Sequence, residues 1–114
     1  MLMQKEIINQ LKDIGLNSYE SKLWLALLSR GVAAAGELSD IANVPRSRSY
    51  DVLESLEKKG FIILKIGKPI KYMAVPPDHV IETVRKKLIE DADAHDKFLS
   101  KIGQGPLIDE LKNV

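Results

Sequence analysis

The segment from Pro45 to Gly60 constrains the fold most strongly, because a proline and a glycine frame a single amphipathic helix. Proline suits the first helical turn, where an N–H would have no partner, and glycine readily takes the left-handed conformation that ends a helix. Residues at three- and four-residue steps predict one buried face, which consists of Ser49, Val52, Leu53 and Leu56. We therefore predict a helix that extends to Lys59 and packs one side against a core.

The opposite side of this helix is polar, and it is basic near its start. Its candidate DNA-contacting residues are Pro45, Arg46, Ser47, Arg48, Tyr50 and Asp51. Arginine can bridge O6 and N7 of guanine, and serine and tyrosine hydroxyls can bond phosphates. The pattern is typical of a helix whose first turns enter the major groove of double-stranded DNA. A solvated amphipathic helix without a nucleic-acid partner is the alternative.

Positive charge is concentrated in the same part of the chain. Residues 43–77 carry seven basic and three acidic side chains, whereas the whole chain has a net charge of only +1. Residues 1–42 carry four basic and five acidic side chains, and residues 78–114 carry six and eight. A local basic surface is what phosphate binding requires. Because this surface is small, we expect weak non-specific affinity from one copy.

Three earlier segments also have helical periodicity. We predict helices over residues 4–14, 17–30 and 35–42, and the second begins with a capping box of Asn17 and Glu20.

The third of these helices is short, with Leu38 and Ile41 predicted to face inward, and residues 32–34 are predicted to form a link. A turn at residues 43–45 joins it to the basic helix. Two helices separated by so short a turn form a helix-turn-helix pattern, in which the second helix reads DNA.

Beyond the basic helix the hydrophobic period shortens to that of β-strands. Residues 61–66 and 70–75 predict two strands of a hairpin whose turn contains glycine and proline. The exposed face and tip of this hairpin carry Lys65, Lys68 and Lys71, with Tyr72 nearby. These lysines predict a wing that reaches phosphates beside the major groove. The alternative is that edge lysines keep the hairpin from pairing with another molecule.

A long amphipathic helix is predicted over residues 78–102, after a pair of prolines. Its apolar positions approximate a heptad seam and are Ile81, Val84, Leu88, Ala92, His95, Leu99 and Ile102. At 1.5 Å per residue the helix would be ~37 Å long, which exceeds what so small a domain can cover. We therefore predict that it pairs with a second copy, the alternative being that it packs back on its own domain. A break at 103–106 precedes a last short helical segment at 107–111.

The predicted fold is thus mostly α with a small β-hairpin: a winged helix-turn-helix with a long C-terminal dimerisation helix. We expect a winged-helix DNA-binding domain at residues 1–77 and a C-terminal helical dimerisation segment at 78–114.

Several classes of function are disfavoured. The chain has no cysteine, which excludes a disulfide framework and a thiol nucleophile. No apolar run approaches the ~18 residues that a membrane span needs, and no signal peptide is visible, so we expect a cytoplasmic protein without a membrane partner. Asp91 and His95 lie one helical turn apart, but exposed carboxylates are usually just solvated, so we predict no metal site. The sequence has no glycine-rich phosphate loop and no recognisable motif that brings a serine, a histidine and an acid together, so we expect no cofactor and no enzymatic activity. A pH-dependent dimer through His95 is a secondary hypothesis.

Several of these segments together resemble the N-terminal DNA-binding region of the TrmB-type transcription regulators, common in archaea and found in bacteria. The matching motifs cover about residues 7–80. They are Gly15–Glu20, Trp24–Leu28, Val44–Arg48 with Tyr50–Leu53, Leu56 and Lys59–Gly60, then Gly67, Pro69 and Tyr72, and finally Val75–Pro77. The resemblance implies a winged-helix fold, sequence-specific DNA binding as a homodimer, and control of transcription. It also places Arg46, Ser47, Arg48 and Tyr50 on the DNA-facing part of the helix and Lys68 at the wing tip.

The chain departs from that family in places. Ser49 stands where the family usually has valine or isoleucine, which predicts a weaker core contact beneath the reading helix. Ala34 stands where a capping threonine is common. Larger members of the family continue into an effector-binding domain, often for sugars. The resemblance does not include that domain, so it implies no ligand-sensing role for this chain, and any effector is unknown.

Two other functions stay open at this level. One is a winged-helix module for protein–protein interaction in a larger assembly, and the other is an architectural DNA binder with little sequence preference. The operator, the target genes and the direction of regulation do not follow from the sequence.

Overall fold

The computed structural model describes residues 4–114, which form six helices and three strands. In chain order these are α1 (Gln4–Asp13), α2 (Ser18–Arg30), β1 (Val32–Ala34), α3 (Ala35–Ala42), α4 (Arg46–Lys58), β2 (Ile62–Lys65), β3 (Lys71–Ala74), α5 (Pro77–Gln104) and α6 (Pro106–Lys112). The chain divides into two compact units, one ending at Val80 and the other spanning Ile81–Val114. Among the described residues, no helix is both long and apolar enough to cross a bilayer.

The core of the first unit lies among α2, α3, α4 and the start of the hairpin. Its side chains are at most 2% exposed and are mainly aliphatic: Leu16, Leu23, Leu27, Leu38, Leu53, Leu56, Phe61 and Val80. Trp24 adds a polar contact, because its indole Nε1 donates a hydrogen bond to the Phe61 carbonyl oxygen at 3.2 Å. The Trp24 and Phe61 rings also meet edge-on, with 5.3 Å between their centres. The predicted buried face of α4 is confirmed, since Ser49, Val52 and both leucines are buried.

The hairpin is part of a three-stranded antiparallel sheet with the order β1–β3–β2. Residues 32–34, predicted to be a link, form strand β1 instead, and Val32 lies opposite Met73 in the register. A strand of three residues carries too little pattern to be recognised alone. Strand β1 forms because it pairs with the edge of β3 that β2 does not occupy, and β3 lies about forty residues further along the chain.

A buried carboxylate joins the beginning of α2 to the end of α4. The predicted capping box is present, with Glu20 N–H donating to Asn17 Oδ1 at 2.8 Å and Asn17 N–H donating to Glu20 Oε1 at 2.9 Å. Glu20 is only 1% exposed, and it also accepts hydrogen bonds from Ser55 Oγ at 2.7 Å and from Lys59 Nζ at 2.9 Å. Lys59 Nζ further donates to the Gly15 carbonyl oxygen at 2.8 Å.

The pKa of Glu20 reflects these contacts. Burial acts to raise it, but the hydrogen bonds from the Asn17 backbone, Lys59 and Ser55, together with the Lys59 charge, hold it below its ordinary value. The carboxylate is therefore charged at neutral pH, and its hydrogen bonds connect the beginning of α2 to the end of α4.

Three details of the first unit differ from the sequence-based predictions. Ile41, predicted to face inward, is 50% exposed, because α3 is so short that Leu38, Ser39 and Ala42 occupy the buried side. Tyr72, predicted to lie near the exposed lysines of the hairpin, is itself buried. Helix α4 ends at Lys58, one residue before the predicted end, which is within the usual uncertainty of helix boundaries.

The second unit consists of α6 and the part of α5 after Val80. The predicted break at residues 103–106 is narrower in the structure, because α5 continues through Gly103 to Gln104. Gly105 then precedes Pro106, a residue suited to the first position of a helix, and α6 follows directly.

Candidate nucleic-acid interface

Helices α3 and α4 meet at a tight turn that sets the direction of α4. Asn43 ends α3 in the left-handed conformation with φ of 54°, which asparagine tolerates better than most residues. Val44 follows with its side chain buried, and Pro45 takes the position before α4. The turn is therefore anchored by one apolar side chain and presents Pro45 to solvent.

Two buried serines fasten α3 to α4 behind this turn. The hydroxyl groups of Ser39 and Ser49 are hydrogen-bonded to each other, and the Val44 and Pro45 carbonyl oxygens lie within reach at 3.1 and 3.0 Å respectively. Each hydroxyl has one proton, so two of these three bonds form at a time. The prediction that Ser49 weakens the core contact beneath α4 considered apolar packing alone and did not include these hydrogen bonds. The departure from an aliphatic residue is compensated by a polar contact within the helix-turn-helix.

The first turns of α4 expose all of the residues predicted to contact DNA there. These exposed side chains are Arg46, Ser47, Arg48, Tyr50 and Asp51, and Pro45 beside them is exposed as well. No acidic residue lies in the first turn, and no side chain caps it. The free N–H groups and the helix dipole therefore add partial positive charge to that of the arginines.

The two arginines lie against different neighbours. Arg46 lies beside α3, with its guanidinium over Gly36 and one nitrogen 3.5 Å from a carboxylate oxygen of Asp40. Both side chains of this ion pair are more than 70% exposed, so its contribution is small and a phosphate could displace it. The Arg48 guanidinium lies 5.8 Å from the centre of the Tyr19 ring at the beginning of α2.

Tyr50 of α4 and Tyr72 of β3 line the same cavity between α4 and the hairpin. A cavity of 260 Å³ separates α4 from the hairpin turn, lined by Ala34, Ala35, Gly36, Tyr50, Pro69, Ile70 and Tyr72. Burial raises the pKa of Tyr72, and the neighbouring Tyr50 and Glu57 raise it further. Tyr50 is 65% exposed and remains available to a ligand.

The hairpin carries its lysines as predicted, on an exposed part of the surface. Lys65 and Lys71 are register partners at the ends of β2 and β3, and Lys68 lies in the turn between them. Ile66, predicted to belong to the first strand, lies in this turn instead and is 91% exposed. Ile66 is therefore a further candidate DNA contact at the wing tip. The strand pattern of the sequence did not indicate it, because it assigned this residue to a strand.

The predicted dimerisation seam forms one face of α5. Ile81, Leu88, Ala92, His95 and Leu99 are exposed, whereas Val84 and Ile102 are half-buried. The structure also exposes Ile89 and Phe98 beside the seam, which the heptad pattern left out. This face has the apolar character that self-association requires.

Comparisons with known proteins agree with this architecture. Residues 11–78 match the family model described as sugar-specific transcriptional regulator TrmB. The chain is similar to the HTH-type sugar sensing transcriptional regulator TrmBL1 of Pyrococcus furiosus, at 36% identity over 89% of this chain and 30% of that protein. It is also similar to the DNA-binding HTH-type transcriptional repressor TrmBL2 of Thermococcus kodakarensis, at 46% identity over 67% of this chain and 27% of that protein.

A solved structure of TrmBL2, described as an archaeal chromatin protein with a novel mode of DNA binding, superposes with a TM-score of 0.68. Its sequence is 33% identical, and the match covers 95% of this chain and 46% of that one. The chain thus spans less than half the length of these relatives.

Proposed function

The chain belongs to the TrmB family of transcriptional regulators, and from this premise we propose that its winged helix binds double-stranded DNA, sequence-specifically and as a homodimer, to regulate transcription. One observation carries the proposal: the beginning of α4 exposes two arginines, and its first turn contains no acidic residue. Such an end attracts phosphate and offers bidentate donors to guanine.

The contacts divide into base-reading and backbone-positioning groups. Arg46 and Arg48 contact base edges or phosphates, Asp51 is suited to accept a hydrogen bond from a cytosine amino group, and Ser47 and Tyr50 bond phosphates. On the hairpin, Lys65, Lys68 and Lys71 contact the backbone beside the major groove. Since phosphate contacts carry no base identity, the hairpin strengthens binding without selecting sequence.

The exposed face of α5 is the surface through which we propose that two copies associate. Two copies joined along the seam present two α4 helices, and these enter successive major grooves of a roughly palindromic site about one helical turn apart. Removing apolar side chains such as Leu88 and Leu99 from water supports the pairing. Doubling the contacts also compensates for the small basic surface of a single copy.

Arg46 provides the sharpest test. Arg46→Ala removes an exposed side chain, so the fold is retained, and affinity for a duplex selected from a random pool should fall by about 1–3 kcal/mol. Arg30→Ala is a matched control, because Arg30 is also an exposed arginine with one acidic partner, Glu37, but belongs to α2. Equal affinity of the Arg46 variant and the parent in a gel-shift titration would contradict the assignment.

The wing is tested by salt dependence. Lys68→Ala should weaken binding to selected and scrambled duplexes equally. It should reduce the slope of log affinity against log salt by about 0.9 for each copy, and hence by about 1.8 for the homodimer. A loss confined to the selected duplex would show that Lys68 reads bases.

An architectural role is the second candidate, because one solved relative is described as a chromatin protein. The ratio of affinities for selected and scrambled duplexes separates the two functions, since an architectural binder has a ratio near one. Absence of any duplex binding would instead favour a module for protein–protein interaction.

A further inference from the structure

A groove on the first unit collects lysines that the sequence scatters. It has a volume of 560 Å³ and lies between α1, the beginning of α2 and the end of α3, lined by Lys5, Ile8, Asn9, Lys12, Ser18, Lys22, Ile41, Ala42 and Asn43. None of these lining residues is acidic. The polar groups that accompany the three lysines are amides and a hydroxyl, which can also bond a phosphate oxygen.

The positive charge of this groove is not neutralised by ion pairs within residues 4–114. Lys5, Lys12 and Lys22 make no ion pair there, whereas Arg30, Arg46, Lys58, Lys59 and Arg85 each have a carboxylate partner. Three unpaired cations around one concave surface repel one another, so an anionic partner that displaces their counterions gains free energy.

The groove lies beside the reading helix, on the side away from the wing. Asn43 lines it and is followed three residues later by Arg46. On one side of α4, the Arg48 guanidinium lies over the ring of Tyr19, and the preceding residue in the chain, Ser18, lines the lysine groove. On the other side, Tyr50 lines the cavity beside the hairpin turn. Arg48 and Tyr50 point about 200° apart around α4, because consecutive helical residues turn by about 100°. Cationic surfaces thus lie on both sides of α4.

A major groove has a phosphate backbone on each side, and a helix that enters it meets both. We propose that this lysine groove holds the DNA backbone opposite the one held by the wing. Its ligand is a run of duplex phosphates, and its role is positioning rather than base reading. The inference rests on the proposed DNA binding of α4.

The test replaces the three lysines by an uncharged polar residue. Lys→Gln changes at positions 5, 12 and 22 remove three charges and keep the first part of each aliphatic stem, including that of the half-buried Lys22. A matched control carries Lys→Gln at Lys86, Lys97 and Lys101, which are exposed on α5 away from the seam and remove the same charge. Both variants and the parent are titrated with a duplex selected by the parent and with a scrambled duplex, at several salt concentrations.

The groove variant should bind both duplexes at least about 10–100-fold more weakly at low salt. The slope of log affinity against log salt should be reduced by about two to three for each copy of the homodimer. The ratio of the two affinities should stay that of the parent, and the control variant should behave like the parent. A groove variant that matches the control would overturn the inference while leaving the proposed function intact. A changed affinity ratio would overturn it too, by assigning the lysines to base reading. A parent that binds neither duplex would contradict the proposed function itself.

Discussion

The two compact units differ in how far their apolar side chains are buried. The unit that ends at Val80 encloses an aliphatic core and a buried carboxylate with hydrogen bonds from three residues. In the unit spanning Ile81–Val114 no side chain is buried, and Phe98 and Leu99 are both more than 60% exposed. The first unit thus has the contacts that stabilise an independent fold, whereas the second carries an apolar face that gains stability only when something covers it.

Two leucines give the largest contrast between the units. Leu53→Ala opens a cavity at a site that is 0% exposed and should lower the free energy of unfolding by about 3 kcal/mol. Leu88→Ala, at a site that is 60% exposed, should change the unfolding of a dilute sample by less than about 0.5 kcal/mol. The same Leu88 change should weaken self-association about tenfold, because it removes apolar area from the seam.

Urea unfolding at two protein concentrations, with sedimentation to follow self-association, measures both effects. If Leu88→Ala destabilises the dilute protein as much as Leu53→Ala does, the contrast between the units is wrong. If Leu88→Ala leaves self-association unchanged, the seam is not the dimer interface.

The buried carboxylate of the first unit predicts a pH dependence. Because the pKa of Glu20 is lowered from its ordinary value of 4.5, its charge stabilises the fold above that pH, and this contribution is lost as the pH falls through the lowered value. Glu20→Gln should cost about 1–2 kcal/mol at pH 7, allowing for solvent screening at the partly exposed Lys59.

The difference in stability between the Glu20→Gln variant and the parent should shrink as the pH falls below about 4.5. Thermal unfolding between pH 3 and 7 measures it, with Glu82→Gln on α5 as a control that should show little pH-dependent loss, since its ion pair with Arg85 is exposed. A difference that is constant with pH would exclude the charge of Glu20 as the cause.

The serine pair gives the smallest effect. Ser49→Ala removes a buried hydrogen bond between α3 and α4 and should cost about 1 kcal/mol. Ser47→Ala, on the exposed side of the same helix, should change stability by less than about 0.5 kcal/mol. A Ser49 variant as stable as the Ser47 variant would show that the hydroxyl pair does not fasten the two helices.

Much of the fold could be predicted from local pattern. Helical periodicity places the four helices of the first unit within one or two residues, and the capping box at Asn17 follows from residues three apart. The polar and buried sides of α4 follow from the same periodicity. These features depend on neighbours within one helical turn, so a sequence window contains all the information they need.

Features that depend on distant residues could not be predicted in this way. Strand β1 exists because of β3, and Glu20 is held by Lys59, which is 39 residues away. The exposures of Ile41 and Tyr72 depend on which neighbours cover them. The lysine groove is the clearest case, because residues 1–42 contain more acids than bases, yet folding gathers three lysines on one surface. Charge counts along a chain do not contain the distances between side chains, and electrostatic attraction depends on those distances.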